Sequence, residues 1–300
     1  MKIKNTFLAP CLVMVILALI TAVRYIDPEL LSKRNDIYLS FVIIQFLVLL
    51  LPAVLYIKLK GKGYGATVGM KMFAPDSIAF IIFCMFMLVT GSAAIRFVCE
   101  ELGIARSNIV LMKSVFPNVA SPENPMFSFM AYALAPAIAE EFVFRGVMIS
   151  EYRSGGRVCA VLMSSVLFAF LHYGFENFIL AVFVGAVLAF AVYVTGSIWS
   201  AVLIRFVYNT YCIYLETQLF NVLDRPKNNV FMIFIFVGLF LLFLFFTLSC
   251  AEKMFYSYAL ENRETPERND NFVWGKVSLK NSLISLPFIL CILLYVITSL

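Results

Sequence analysis

Charge is scarce in this 300-residue chain, where Asp, Glu, Lys and Arg make up only 14%. Soluble domains carry about 25%. Apolar residues take 62% and the net charge is +5, spread along the chain. That balance excludes a disordered chain, a small disulfide scaffold and an ordinary soluble enzyme. No five like charges run together and no basic stretch alternates with aromatics, so nothing points to nucleic acid. Histidine occurs once, at His172. A two-histidine zinc motif such as H-E-x-x-H is therefore impossible. The seven cysteines never form C-x-x-C and mostly lie in apolar runs. They read as small buried apolar residues, not as disulfides or zinc thiolates.

What the chain has instead is long apolar runs. A membrane-crossing helix needs about 20 mainly apolar residues. Nine such runs are expected, at 7–26, 37–57, 78–99, 126–150, 158–172, 178–195, 198–220, 230–250 and 281–300. Barrel strands are far shorter, so the fold class is all-α, a polytopic membrane helix bundle. Lys2 and Lys4 precede the first run as they would in a signal peptide. The run ends without a small-x-small cleavage site, which makes it a retained signal-anchor. Placing the N-terminus inside gives thirteen Lys and Arg to the inner segments and six to the outer loops. The positive-inside rule thus predicts a multi-pass cell-membrane protein with a cytoplasmic N-terminus and an outside C-terminus.

The chain divides into residues 1–125 with three spans and an outer loop, 126–220 with four, and 221–300 with two. The last part has a charged inner loop at 251–280, whose polar stretch 261–270 has no apolar period to bury. The glycine-rich basic run at 58–65 follows a span and opens no nucleotide-binding helix, so it reads as a lipid-facing turn. No internal repeat is visible, which argues against a transporter built from paired halves.

Ionisable residues inside the hydrocarbon cost about 2.5–3.5 kcal/mol each and mark function. Arg24 and Arg96 lie near span ends, where they can snorkel. The rest gather in three spans: Glu140, Glu141 and Arg145 in the fourth, His172 at the end of the fifth, and Arg205 with Asn209 in the seventh, followed by Glu216. At 1.5 Å per residue these groups lie about 15–22 Å from the inner ends of their spans, a similar depth. They are expected to meet around one wet cavity, the place where such residues are tolerated. Glu141 and Arg145, four apart, form a structural ion pair. Glu140, turned about 100° away, is the freer carboxylate. Beside His172 it makes a water-activating pair. Pro136 cannot donate to the carbonyl of Tyr132 and is expected to kink the fourth span.

These residues resemble the family of type II CAAX prenyl endopeptidases and bacteriocin-processing proteins, known as CPBP or Abi. The family motif E-E-x-x-x-R matches Glu140-Glu141-Phe-Val-Phe-Arg145, and F-x-x-x-H matches Phe168-Ala-Phe-Leu-His172. The stretch Thr195-Gly-Ser-Ile-Trp-Ser200 is similar to the third region, which leads into H-x-x-x-N. Together these motifs cover the middle third of the chain. A decoy, Glu100-Glu101 with Arg106, has its arginine one residue too late.

The resemblance implies a metal-independent peptidase in which Glu140, Glu141 and His172 serve a water. Asn209 and the residue four before it would stabilise the oxyanion. That residue is Arg205 here, where the family has His. Arginine donates to an oxyanion; it cannot exchange a proton near neutral pH or readily ligate a metal. Alternatively, Arg205 pairs with Glu140 or Glu141 and silences it. The expected catalytic set is thus Glu140, Glu141, His172, Asn209 and Arg205, with Arg145 structural and zinc the minority reading. The partners expected are membrane lipid, a membrane-tethered peptide or protein tail, and another membrane protein. Peptide maturation, prenyl-protein trimming and bacteriocin immunity are the uses the family implies. The alternative is a catalytically impaired scaffold acting as an immunity, regulatory or peptide-binding partner.

Overall fold

In lipid no water satisfies a free backbone N–H or C=O, so long apolar runs become helices that bond internally. A computed structural model describes residues 5–25, 36–61, 70–104, 110, 125–223, 229–260 and 279–299, and no strand occurs among them. The helices are α1 (Asn5–Val23), α2 (Ile37–Lys60), α3 (Pro75–Glu101), α4 (Met126–Gly155) and α5 (Arg157–Ala169). They continue as α6 (Phe175–Thr195), α7 (Ile198–Tyr214), α8 (Glu216–Leu223), α9 (Asn229–Leu260), α10 (Leu279–Leu283) and α11 (Leu286–Ser299). Five stretches, α2, α3, α4, Asn177–Thr195 of α6 and Val230–Leu260 of α9, are long and apolar enough to cross a membrane. The molecule is an all-α, multi-pass membrane helix bundle.

Helix α4 is the interior element. Its most membrane-like stretch is 67% buried, against 17% for that of α9, which packs along α3 with its other faces outward. Helix α7 packs between α3, α4 and α6, and α5 lies along α6. The terminal helices α1 and α11 pair with each other, and Cys291 Sγ donates to the Pro10 carbonyl at 3.4 Å.

Several expectations change, among them the seventh and ninth spans, which break into α7 with α8 and α10 with α11. A fifth span is expected at 158–172, but α5 stops at Ala169 and His172 lies in the turn that follows. At 13 residues α5 is about 20 Å long, too short to cross a bilayer unaided. Arg96 does not snorkel. It is 6% exposed and ion-paired with Glu216, because α8 folds back against the end of α3. The fourth span is not broken at Pro136; it stays helical by widening into π turns on either side of the glutamates. The polar stretch 261–270, most of the loop 100–125 with Arg106, and residues 62–65 of the basic run lie outside the described residues.

The Thr195–Ser200 stretch is a corner. Gly196 ends α6 at φ +67°, a left-handed conformation that suits glycine, with its N–H on the Val192 carbonyl at 2.8 Å. Ser197 caps α7 by accepting the Trp199 N–H at 3.2 Å. Its hydroxyl also donates to the Lys71 carbonyl, and the Trp199 indole donates to the Met70 carbonyl at 3.0 Å. This corner fixes where α7 starts, and so the height of Arg205 and Asn209.

Candidate active site

Helix α4 brings Glu140 and Glu141 to full burial, both at 0% exposure. Pro136 shapes the backbone just before them. It has no N–H for the Tyr132 carbonyl in an α turn or for the Ala131 carbonyl in a π turn. Residues Phe129–Leu134 are π-helical, and the Ala131 carbonyl accepts instead from Gln45 Nε2 of α2 at 2.8 Å. Asn209 Nδ2 of α7 donates to the Ala133 carbonyl at 3.4 Å. A second π stretch, Phe142–Met148, follows the glutamates, and Ser164 of α5 donates to its Phe144 carbonyl at 2.9 Å. Amide and hydroxyl groups from three neighbouring helices thus hold the irregular backbone, the condition under which it survives at membrane depth.

Arg145 is locked. Its Nη1 donates to Glu141 Oε1 at 3.1 Å, its Nε lies 3.1 Å from Oε2 of the same carboxylate, and its Nη2 donates to the Gly185 carbonyl at 3.0 Å. That carbonyl comes within reach because Gly185 has no side chain. A Cβ there would lie 2.9 Å from Ser165 Cα, so glycine lets α5 and α6 touch. The structural ion pair expected from the four-residue spacing is therefore present.

Arg205 is paired with Glu140, one of the two alternatives at its position. Its Nη2 donates to Glu140 Oε2 at 2.9 Å and lies 3.2 Å from His172 Nε2. All three side chains are fully buried. A guanidinium only donates, so His172 Nε2 accepts. His172 Nδ1 lies 3.1 Å from the Phe168 carbonyl, which only accepts, so Nδ1 carries the ring proton. The imidazole is thereby fixed as the neutral Nδ1–H tautomer.

Phe168 ties the two arginines together. Its ring lies 4.7 Å from the Arg145 guanidinium carbon and 5.0 Å from that of Arg205, and its centroid is 4.5 Å from that of His172. A ring face attracts both cations, which would otherwise repel across the site. Four buried polar atoms here have no protein partner: Glu140 Oε1, Arg205 Nε and Nη1, and Asn209 Oδ1. Buried polar atoms are almost always bonded, so these four leave two donor and two acceptor groups available to a polar partner.

The structure thus joins Glu140, Arg205 and His172 directly. Glu141 and Arg145 sit one face round, and Asn209 lies one turn along α7 from Arg205. Glu100 and Glu101 end α3. No three of His, Cys, Asp and Glu among the described residues are grouped to hold a metal ion. Sequence reasoning overlooks Gln45 and Gly185. An amide inside an otherwise apolar run is the available signal for Gln45; for Gly185 there is none.

Residues 122–211, which enclose all of these motifs, match the family model described as Type II CAAX prenyl endopeptidase Rce1-like. No curated protein and no solved structure matches the chain. By that match and the motifs within it, residues 122–211 are similar to the Rce1-like type II CAAX prenyl endopeptidases.

Proposed function

We propose that the chain is an intramembrane, glutamate-dependent endopeptidase acting on a membrane-associated peptide or protein tail. The supporting observation is the set of unpartnered buried atoms around Glu140 and Arg205. Arg205 Nε and Nη1 only donate, and Glu140 Oε1 and Asn209 Oδ1 only accept. A peptide group offers one carbonyl and one N–H, the complementary pair.

In this reading Glu140 and His172 activate a water. The water's oxygen bonds to the peptide carbonyl carbon as one of its protons passes to Glu140. The carbonyl electrons move onto oxygen, which accepts from Arg205 and from the amide of Asn209. The C–N bond then breaks, and Glu140 returns the proton to the leaving amine. Nη2 of Arg205 occupies Glu140 Oε2 and His172 Nε2 at rest. Turnover therefore requires the guanidinium to move onto the substrate carbonyl, freeing both bases. Glu141 orients Arg145, which supports the site from behind. No metal enters this mechanism, since a donor nitrogen stands between carboxylate and imidazole, and chelators should leave the rate unchanged. The N-terminus is cytoplasmic and the C-terminus outside, following the thirteen-to-six bias of positive charge.

A second reading follows from the same guanidinium. With Arg205 on both Glu140 and His172, the chain binds peptides without cutting them and serves as an immunity or regulatory partner of another membrane protein. The test is to offer prenylated, membrane-tethered peptides to purified protein in detergent, with Glu140→Ala as control. Cleavage by the wild type alone is expected. Retention of the peptides without cleavage would establish the second reading.

A further inference from the structure

We propose that the terminal helices α1 and α11 form a clamp that sets the position of His172, with Tyr295 as its principal positioning residue. This rests on the reading of His172 as a partner of Glu140 in water activation.

His172 is not on a helix. Its local backbone support is two short turn bonds, Leu171 N–H to Phe168 O at 3.1 Å and His172 N–H to Ala169 O at 3.0 Å. The residues on either side are held from outside. The Tyr295 hydroxyl donates to the Gly174 carbonyl at 2.9 Å, and the Gly174 N–H points at Ser299 Oγ at 3.4 Å. The Tyr295 ring also packs 5.4 Å from Phe170, on the other side of the histidine. From α1, the Arg24 guanidinium lies 4.3 Å from the Tyr173 ring centroid, and Thr21 Oγ1 is 3.3 Å from the Tyr173 hydroxyl. Arg24 Nη1 also donates to the Thr298 carbonyl at 3.2 Å, joining the two helices.

The turn is therefore gripped at Phe170, Tyr173 and Gly174, while His172 alone points inward to Arg205. The bonds that the clamp residues make run to the turn and to each other, and both clamp helices lie outside residues 122–211. The imidazole bonds to the Phe168 carbonyl and to Arg205, and whether both bonds can be kept depends on where the turn holds the His172 backbone. A shift of about 1 Å at a reacting group can cost about 100-fold in rate.

The single histidine makes the test direct. Protein labelled with ¹⁵N in histidine gives one imidazole, and its two nitrogens report the tautomer. Wild type should show the proton on Nδ1. Tyr295→Phe removes only the hydroxyl and should shift the signals toward exchange between tautomers, with helix content unchanged. Tyr258→Phe is the matched control: it deletes a hydroxyl that donates to the Val194 carbonyl at 3.5 Å, at the far end of α6, and should leave the spectrum unmoved. If Tyr295→Phe does not fold, exposed Arg24→Gln should give the same shift. An unchanged imidazole in the folded variants, or an equal change in Tyr258→Phe, would overturn the clamp. Because this readout needs no substrate, a failure of the peptidase reading is seen separately, as lack of cleavage by wild type. Where cleavage is measured, Tyr295→Phe should lower kcat up to about 100-fold at unchanged KM.

Discussion

Nη2 of Arg205 donates to Oε2 of Glu140 across 2.9 Å, joining helices α7 and α4 by an ion pair with no solvent exposure on either side chain. The pair makes the carboxylate tolerable at this depth, and it occupies one of its two oxygens.

Breaking the pair from one side should be costly. Arg205→Met leaves a buried carboxylate without its cation, a loss of about 3–5 kcal/mol. Adding Glu140→Met should recover most of it, since two apolar side chains need no partner. Unfolding midpoints in detergent for the two single variants and the double variant check this.

Arg205→His should raise cleavage of membrane-tethered peptides by at least about 100-fold, the lower range of what a positioned acid–base group contributes. It should also add an inflection to the rate profile between pH 5 and 8, where imidazole changes charge. Rates from pH 5 to 9 for both proteins decide the point. A variant no faster than wild type would show that Arg205 does not restrain the site.

Gly185→Ala should destabilise the bundle by about 1–3 kcal/mol, the usual range for overpacking. The added methyl would meet Ser165 Cα at 2.9 Å and push the Gly185 carbonyl away from Arg145. A lower thermal midpoint, with a larger loss than in Gly238→Ala, where a Cβ meets nothing within 4 Å, is the expected result.

Gln45→Leu should cost about 1–3 kcal/mol by leaving the Ala131 carbonyl buried without a donor. Faster hydrogen exchange in the π stretch Phe129–Leu134 should accompany the loss of stability.

Much of the site is legible in the order of residues alone. Glu141 and Arg145 share a helix face by their spacing, and similar depth along the spans suggests that Glu140 and His172 come near each other, as their shared bond to Arg205 shows. The choice made by Arg205 is not legible, because depth says nothing about which way a long side chain turns. Apolarity continues through Phe170 and Leu171, so nothing in the composition marks the end of α5 at Ala169. Arg96 reads as a snorkelling residue because its partner, Glu216, belongs to a short helix that hydropathy merges into the seventh span. The clamp on His172 is hidden for a related reason: Tyr295 and Arg24 are remote in sequence and ordinary in type.

The pairing of α1 with α11 has a bearing on biogenesis. Gly174 bonds to Tyr295 and Ser299, residues that are synthesised after the whole of the family-like segment. While the ribosome is still extending the chain, the imidazole turn is without its outer hold. That hold is made only once α11 has packed against α1.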